Sequence, residues 1–415
     1  MSPDVRTLDE SDLPEWLRAL NNAFLQPQTV APEEVTARRP AIDLDRTQGV
    51  FDEGRCVATF RSMPRELTVP GGAQLAACAV TNVSVTATHR RRGLASRMMS
   101  RDLTAAKERG EAVSILIAAE YPIYGRYGYG PATWTTAWDI DVPRAGLDRR
   151  WAGPTDGGRV DLLTTEEVRK TGPELHERVR RLTPGAINRI DRWWDMETGQ
   201  LILPSRPWKE PFFVAYRDSS GRLDGLATYS ITDHRWPGKF PKVTLEADKL
   251  IAVSPAAETA LWRFLLSVDW VTELRTGLRA PDDIVPLLLG DPRAAKVETY
   301  ADFMWLRILD TPRALEARTY SGAGSLVLDL SDEAGLAGGR YRLETDANGN
   351  ATCRPTRDAA ELSLGIAELG TLYLGDESVL RLAALGRVTE DRSGAASRAD
   401  ALFRTPRRPW NPDIF

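Results

Sequence analysis

The chain has 415 residues, with 54 basic and 58 acidic side chains and a formal net charge of -4. At a prior of about 150 residues per domain it predicts two or three domains, and the near-balance of charge excludes the global basic field that nucleic acid or an anionic membrane surface would need. Its three Cys (Cys56, Cys78, Cys353) and three His (His89, His176, His234) are scattered without C-x-x-C or H-E-x-x-H spacing, so no disulfide framework, zinc site or other metal centre is expected.

The first segment opens with a strand over Val5–Leu8. A helix capped at Ser11-Asp12 follows and runs to about Phe24, with an apolar face of Leu13, Trp16, Leu17 and Leu20. Strand-like runs at Gly49–Phe51, Cys56–Leu67 (broken at Met63-Pro64) and Leu75–Val85, separated by Asp52-Glu53-Gly54 and Pro70-Gly71-Gly72, predict an antiparallel meander. A helix from about Gly93 to Arg109 and a buried strand over Ala112–Ala118 then predict a crossover and a parallel pair.

The second segment, roughly 159 to 297, repeats this order: strand Val160–Leu163, helix Gly172–Leu182, strands Phe212–Tyr216, Leu223–Ile231 and Val243–Val253, helix Ala256–Trp270 and strand Val271–Arg275. The repetition points to a divergent internal duplication. The third segment, from about Tyr300, mixes a short amphipathic helix at Pro312–Arg318, strands Ser325–Leu330 and Gly339–Glu344, a turn at Asn348-Gly349-Asn350 and a helix over Asp376–Leu385, an α+β pattern. The prolines of the last stretch, Thr405 to Phe415, exclude a helix, yet Trp410 and Phe415 give it material to dock. Neither a basic region followed by an apolar stretch at the N-terminus nor a run of about 18 apolar residues occurs, which predicts a cytoplasmic protein.

The most informative run is Val83-Ser84-Val85-Thr86-Ala87-Thr88-His89-Arg90-Arg91-Arg92-Gly93-Leu94-Ala95-Ser96. Three positive charges at a helix N-terminus oppose the macrodipole unless an anion sits there. Gly93 and Ala95 leave the first-turn N–H groups open to phosphate oxygens. Other phosphate motifs fail, since no G-x-G-x-x-G follows a strand and Gly49-x-x-x-x-Gly54 continues as Arg55-Cys56. In the second segment the corresponding helix starts Ser254-Pro255-Ala256-Ala257-Glu258, with no Arg or Gly and with an acid in its first turn. That copy is not expected to bind the same anion.

Arg90-x-x-Gly93-x-Ala95 between an apolar strand and a helix resembles the acyl-CoA pyrophosphate loop of GCN5-related N-acetyltransferases, and Tyr124-x-x-x-Gly128-Tyr129 resembles that family's tyrosine motif. The set His89–Leu94, Ile123–Thr133 and Pro312–Arg318 is similar to the enhanced intracellular survival (Eis) family, across the whole chain. The resemblance implies two tandem acetyltransferase folds with mixed sheets followed by a sterol-carrier-protein-2-like α+β domain, divided as 1–150, 151–297 and 298–415, with the middle copy degenerate and non-catalytic.

For function it implies transfer of acetyl from acetyl-CoA, without a metal, to primary amines of a multi-amine acceptor such as an aminoglycoside, or to protein lysine, by a homo-hexamer. Val83, Ser84 and Val85 would pair with pantetheine, and Arg90, Arg91, Arg92, Gly93, Leu94, Ala95 and Ser96 would hold the pyrophosphate. Ala119 and Glu120 would lie near the cofactor, Tyr124 would be the general acid and the Phe415 carboxylate the general base. Glu33 and Glu34 are the nearest acids for a polycationic acceptor. Trp193, Trp194 and Trp208 read as packing, Arg407-Arg408 as a solvated face and the three Cys as buried hydrophobes. The alternative is a non-catalytic acyl-CoA sensor or lipid carrier, which would keep the phosphate loop but need neither Tyr124 nor a fixed C-terminus.

Overall fold

A computed structural model describes residues 4–151, 153–154 and 156–415. Five strands begin the chain: β1 (Val5–Thr7), β2 (Thr47–Asp52), β3 (Arg55–Thr68), β4 (Gln74–Val85) and β5 (Val113–Ile117). Then come β6 (Gly130–Pro131), β7 (Trp134–Asp141), β8 (Arg159–Leu163), β9 (Phe212–Arg217), β10 (Leu223–Arg235), β11 (Lys242–Ala252), β12 (Val271–Arg275), β13 (Ala295–Asp302) and β14 (Met304–Ile308). They form two mixed sheets, ordered β1-β2-β3-β4-β5-β14-β6 and β13-β7-β12-β11-β10-β9-β8. In each sheet an antiparallel meander meets one parallel pair across a helix: β4 with β5 over α3 (Leu94–Glu108), and β11 with β12 over the helix Pro255–Leu266.

The sheets do not divide at 150 and 297. Strand β7 precedes residue 150 yet belongs to the second sheet, and β14 follows residue 297 yet sits in the first, between β5 and β6. The cause is a pair of continuous segments, β6-β7 and β13-β14, that run antiparallel along both sheets, with Trp305 opposite Pro131 and Ala295 opposite Ile140. Each sheet thereby takes the strand next to its edge from beyond the expected boundary, β14 in the first and β7 in the second, and the shared ribbon fixes one sheet relative to the other.

Strand β3 is not broken at Met63-Pro64; it runs through to Thr68. Strand β2 pairs with it only as far as Arg61, and beyond that Glu66 and Thr68 turn their N–H groups outward to Asn188 and Ala186 of the second copy. By the two-residue period the nitrogen of Pro64 faces the same outer edge, where a missing N–H costs no ladder bond. The helix expected from Gly172 instead begins at Thr165, because Thr164 and Glu167 form a reciprocal capping box and Pro173 is tolerated inside.

The remaining strands, from Gly324–Ser331 to Val388–Glu390, form a five-stranded sheet that packs with helices into an α+β third domain. Its core is continuous with the first sheet: Leu67, Ala77, Ala79, Val113, Ile115, Met304 and Leu306 pack in one cluster with Leu326, Leu369, Tyr373 and Phe403. The Arg307 guanidinium, fully buried on β14, pairs with Asp332 of the third domain at 2.7 Å. The opposite face of the first sheet carries α3 through Phe60, Val80, Leu94, Met98 and Leu103. α1 (Leu13–Ala23) packs Leu13, Trp16, Leu17 and Leu20 against Cys56 and Ile42, and α2 (Pro32–Arg38) follows it. All three Cys are buried and free. Among the described residues no helix is long and apolar enough to cross a membrane.

Candidate active site

The parallel ladder between β4 and β5 ends at Val80 opposite Leu116. Beyond it β5 follows β14, Ile117 opposite Met304, while β4 stays with β3, Ser84 opposite Thr59 and Val85 opposite Ala58. A bulge with Asn82 at φ 54° bends β4 away at that point. The two strands splay, and the edge of Val83, Ser84 and Val85 toward β5 has no strand partner among the described residues. The Ser84 hydroxyl is taken by Thr59 at 2.7 Å, so what this stretch offers a ligand is backbone N–H and C=O, as an added strand would need.

The open edge leads into the arginine loop. His89 is pinned to Asp52 at 2.9 Å, and Arg90, Arg91 and Arg92 are exposed. Arg91 (φ 63°) and Gly93 (φ 73°) adopt left-handed conformations that turn successive N–H groups to one side. Helix α3 starts at Leu94 with no side-chain cap and no acid in its first turn. The amides of Leu94, Ala95 and Ser96 are therefore free to bind an anion at the positive end of the helix. Leu94 contributes backbone only, because its side chain is buried under the sheet. The Ser96 hydroxyl meets Tyr127 at 3.1 Å.

Ala119 and Glu120 form the exposed turn after β5, at the mouth of the splay, and Glu120 leads into α4 (Tyr121–Tyr124). Tyr124 is 8% exposed, edge-on to Tyr129 at 6.3 Å, and its hydroxyl has no hydrogen-bond partner among the described residues. Burial first, then the nearby Glu120 carboxylate, push its pKa above the ordinary tyrosine range. Tyr129 is a packing residue, bonded to Ser114 at 2.6 Å. Gly128 (φ 79°) must lack a Cβ, because one built there would lie 2.5 Å from the Arg307 guanidinium.

The chain's last residue reaches the apex of the splay from the other face. Thr81 Oγ1, one residue past the end of the β4/β5 ladder, donates to the Phe415 main-chain oxygen at 3.0 Å. The tail is held by the second copy: Trp410 N–H donates to Pro184 O at 2.8 Å, and Asp413 pairs with Arg189 at 2.9 Å and with His176 Nε2 at 3.7 Å, all three side chains buried. Arg189 and His176 hold the Asp413 carboxyl well below the usual range despite its burial, and burial lowers the His176 imidazole. Sequence reasoning missed Thr81, Asp413, Arg189 and His176; the only signal was an aspartate within a tail expected to dock.

Three expectations are corrected. Glu34 is not free for an acceptor, since it is buried and bound to Arg38 at 2.5 Å and to Ser205 at 2.6 Å. Of Arg407-Arg408 only Arg407 is a solvated residue, exposed beside Glu258 and Asp282, whereas Arg408 pairs with the buried Asp376 at 2.6 Å. Trp193, beyond packing on Trp194, supports the Arg189 guanidinium 3.8 Å above its ring.

The second copy does not show this architecture. Its helix Pro255–Leu266 is capped by Ser254 Oγ at 3.2 Å. Its own splay, beyond Glu246 opposite Arg275, is crossed by Arg279, which donates to Leu250 O at 2.6 Å, pairs with Asp283 at 2.8 Å and lies under Trp410.

Residues 4–132 and 185–308 each match an acetyltransferase (GNAT) domain family, and residues 311–412 match a sterol carrier protein domain family. The chain is 34% identical over 389 residues to the N-acetyltransferase Eis of Mycobacterium tuberculosis, covering 90% of each. It belongs to the Eis family of GCN5-related N-acetyltransferases. An uncharacterized N-acetyltransferase of Streptomyces avermitilis is 58% identical over 412 residues, 99% of this chain and 98% of that one. The crystal structure of Eis1 from Mycobacterium abscessus superposes with a TM-score of 0.85 at 31% identity, over 99% of this chain and 100% of that chain. Like the rest of the Eis family, the chain is an acetyl-CoA-dependent N-acetyltransferase built from two GNAT folds and a sterol-carrier domain. Among the described residues no group of three or more His, Cys, Asp and Glu is placed to hold a metal ion.

Proposed function

We propose that the first GNAT fold carries out the transfer, with acetyl-CoA lying in the β4/β5 splay, Tyr124 as general acid and the Phe415 carboxylate as proton acceptor. Val83, Ser84 and Val85 meet the pantetheine amides, the run from Arg90 to Ser96 holds the pyrophosphate, and Ala119 and Glu120 border the thioester arm. The amine nitrogen attacks the thioester carbon, the C–S bond breaks, and the departing thiolate takes the Tyr124 proton. A phenol near pKa 10 and a thiol near 8.5 differ by about 1.5 units, roughly 2 kcal/mol. The same dry surroundings raise both groups. A carboxylate near pKa 3.5 cannot strip a free ammonium near 10. It receives the proton after attack, when the nitrogen has become acidic, directly or through water.

The observation that carries this reading is the hydrogen bond that seats Phe415 on Thr81, one residue beyond the point where the cofactor strands part. A lipid carrier or acyl-CoA sensor has no use for a terminus held there. The capped helix and the Arg279 crossing of the second copy support a structural, non-catalytic role for it. The resemblance also favours a cytoplasmic homo-hexamer, and Trp236, Phe240 and Trp270, exposed around one hairpin tip, are available for assembly; sedimentation as a monomer at micromolar concentration contradicts it.

A polycationic aminoglycoside is the acceptor the family resemblance implies, yet Glu34 is already paired. A thiol-release assay with acetyl-CoA and a panel of primary amines tests the transfer reading. Turnover unaffected by Tyr124→Phe and by deletion of Ile414-Phe415 removes the catalytic assignment. Intact CoA binding without turnover of any amine favours the sensor.

A further inference from the structure

The second copy keeps a cavity beside the cleft that Arg279 crosses. It measures about 110 Å³ and lies between the end of β11, the first turn of the helix Pro255–Leu266, the loop at Asp282 and the tail at Arg407 to Trp410. One water needs about 10–15 Å³ of such space, so the cavity has room for a molecule of several heavy atoms. Val179 and Ile251 give it an apolar wall, and Glu258, Asp282, Arg407 and Trp410 give it a polar one.

The charge at this helix start is the reverse of that in the first copy. Among the described residues the Glu258 carboxylate makes no hydrogen bond, and its one ion pair is with Arg407 at 3.7 Å. Arg407 is more than half exposed and also stands 3.5 Å from Asp282. The surrounding charges are matched, Arg279 to Asp283 at 2.8 Å and Arg408 to Asp376 at 2.6 Å. Glu258 and Asp282 therefore share a single, loosely held guanidinium, which leaves an excess of one negative charge. Burial first, then the Asp283 carboxylate, push the Glu258 carboxyl above the ordinary range, against the pull of Arg279 and Arg407. Two further polar atoms of this wall are buried without a partner among the described residues, Asp282 Oδ1 and the indole nitrogen of Trp410, a residue only 8% exposed. The protein by itself does not satisfy this wall.

An entering cation relieves the crowding of carboxylates. A metal ion is a poor match, because among the described residues no group of three or more His, Cys, Asp and Glu is placed to hold one. An ammonium offers several N–H donors to two carboxylates by charge-assisted hydrogen bonds, and a short alkyl body suits Val179 and Ile251. Arg407, held only by these two acids and solvent, can swing away to admit it.

We propose that this cavity binds a small alkylammonium cation between Glu258 and Asp282, and that its occupancy tightens the tail. Because Arg407, Arg408 and Trp410 form one wall, the cavity is complete only while the tail is docked. A ligand that binds there stabilises the docked state by mass action. The proposal does not depend on the transfer reading, since binding and tail protection are both read without turnover.

The test is calorimetric titration of the full-length protein, at matched ionic strength and without acetyl-CoA, with isobutylammonium and its isosteres isobutanol and isobutyrate. The expected result is saturable binding of isobutylammonium alone, weakened at least 10-fold in Glu258→Gln and in Asp282→Asn. At ten times its Kd the cation should slow release of Phe415 by carboxypeptidase about 10-fold, and Glu258→Gln should abolish that protection. Wild-type melting of the variants excludes misfolding, and Asp282→Asn serves where Glu258→Gln is unstable. Absence of saturable binding, or equal binding of isobutanol or isobutyrate, overturns the proposal and leaves the cavity to water. Binding untouched by both variants overturns it as well and moves the amine to another site. Glu258-dependent binding that leaves Phe415 release unchanged keeps the site and sinks its link to the tail.

Discussion

Replacing Asp413 by Asn tests whether the terminus works because it is held. The Arg189 and Asp413 side chains are each 3% exposed and 2.9 Å apart, so the substitution keeps the shape and leaves a buried guanidinium without its counter-charge. Breaking a buried pair from one side costs about 3–5 kcal/mol, a factor of 10² or more. Stacking on Trp193 at 3.8 Å persists in the variant and offsets part of the loss. The penalty falls on docking of the last residues rather than on the sheets, since beyond Trp410, which Pro184 and Arg279 hold, Asp413 is the ion-paired link to the second copy. Asp413→Asn should therefore lower kcat toward the value of the variant lacking Ile414-Phe415, leave the KM for acetyl-CoA within twofold, and speed release of Phe415 by carboxypeptidase. Rapid release of Phe415 with kcat unchanged would refute the role of the carboxylate. A tail as protected as in the wild type would refute the ion-pair reasoning.

Other outcomes follow from the same geometry. Tyr124→Phe should reduce kcat by about 10²-fold with little change in acetyl-CoA affinity, measured by thiol release and calorimetry. Gly93 has open space where a Cβ would go but sits at φ 73°, so Gly93→Ala should weaken acetyl-CoA binding by conformational strain alone, about 1–2 kcal/mol, seen as a raised KM. Because burial lowers the His176 pKa in the folded chain, the unfolded chain takes up the proton first as pH falls, and stability should decline from about pH 6.5 downward. The Asp413 contribution, whose folded pKa is depressed, persists until far lower pH. Melting measurements should show this decline, and His176→Gln should flatten it.

The geometry of the proposed cofactor side was legible because it is local. A strand, three arginines, a left-handed glycine and an uncapped helix all fall within Val83 to Ser96, and each leaves its own mark in residue type. The same holds for the tyrosine turn from Tyr124 to Gly128, although the reason Gly128 is glycine, the Arg307 guanidinium beneath it, lies far along the chain. The dock of the tail was not legible, because its parts meet only in the fold. Asp413 reads as a tail residue and His176 as an isolated histidine until the second copy brings both to Arg189. Strand β14 went unread for a related reason: it lies beyond the expected boundary at 297, and only its partners β5 and β6 place it in the first sheet. Pro64 misled as a strand breaker, since the sequence does not show that β2 stops at Arg61 and leaves the outer edge open.

The tail links the two copies in a way neither could achieve alone. In the second GNAT fold the cleft that would admit a cofactor is crossed by Arg279, and Trp410 lies over that guanidinium at 4.7 Å. Five residues later the same tail ends on Thr81 of the first fold, where the corresponding cleft is open. The same arginine that crosses the cleft of one copy thus helps to dock the tail that ends on the other. A terminal carboxylate would otherwise fray, because a chain end has one backbone connection and no sheet of its own. Here it is held from three sides: Thr81 of the first fold, Arg189 and His176 of the second, and the Arg408–Asp376 pair that anchors the tail's start to the third domain. The seat of Phe415 on Thr81 accordingly requires all three domains to be folded and in place before it exists.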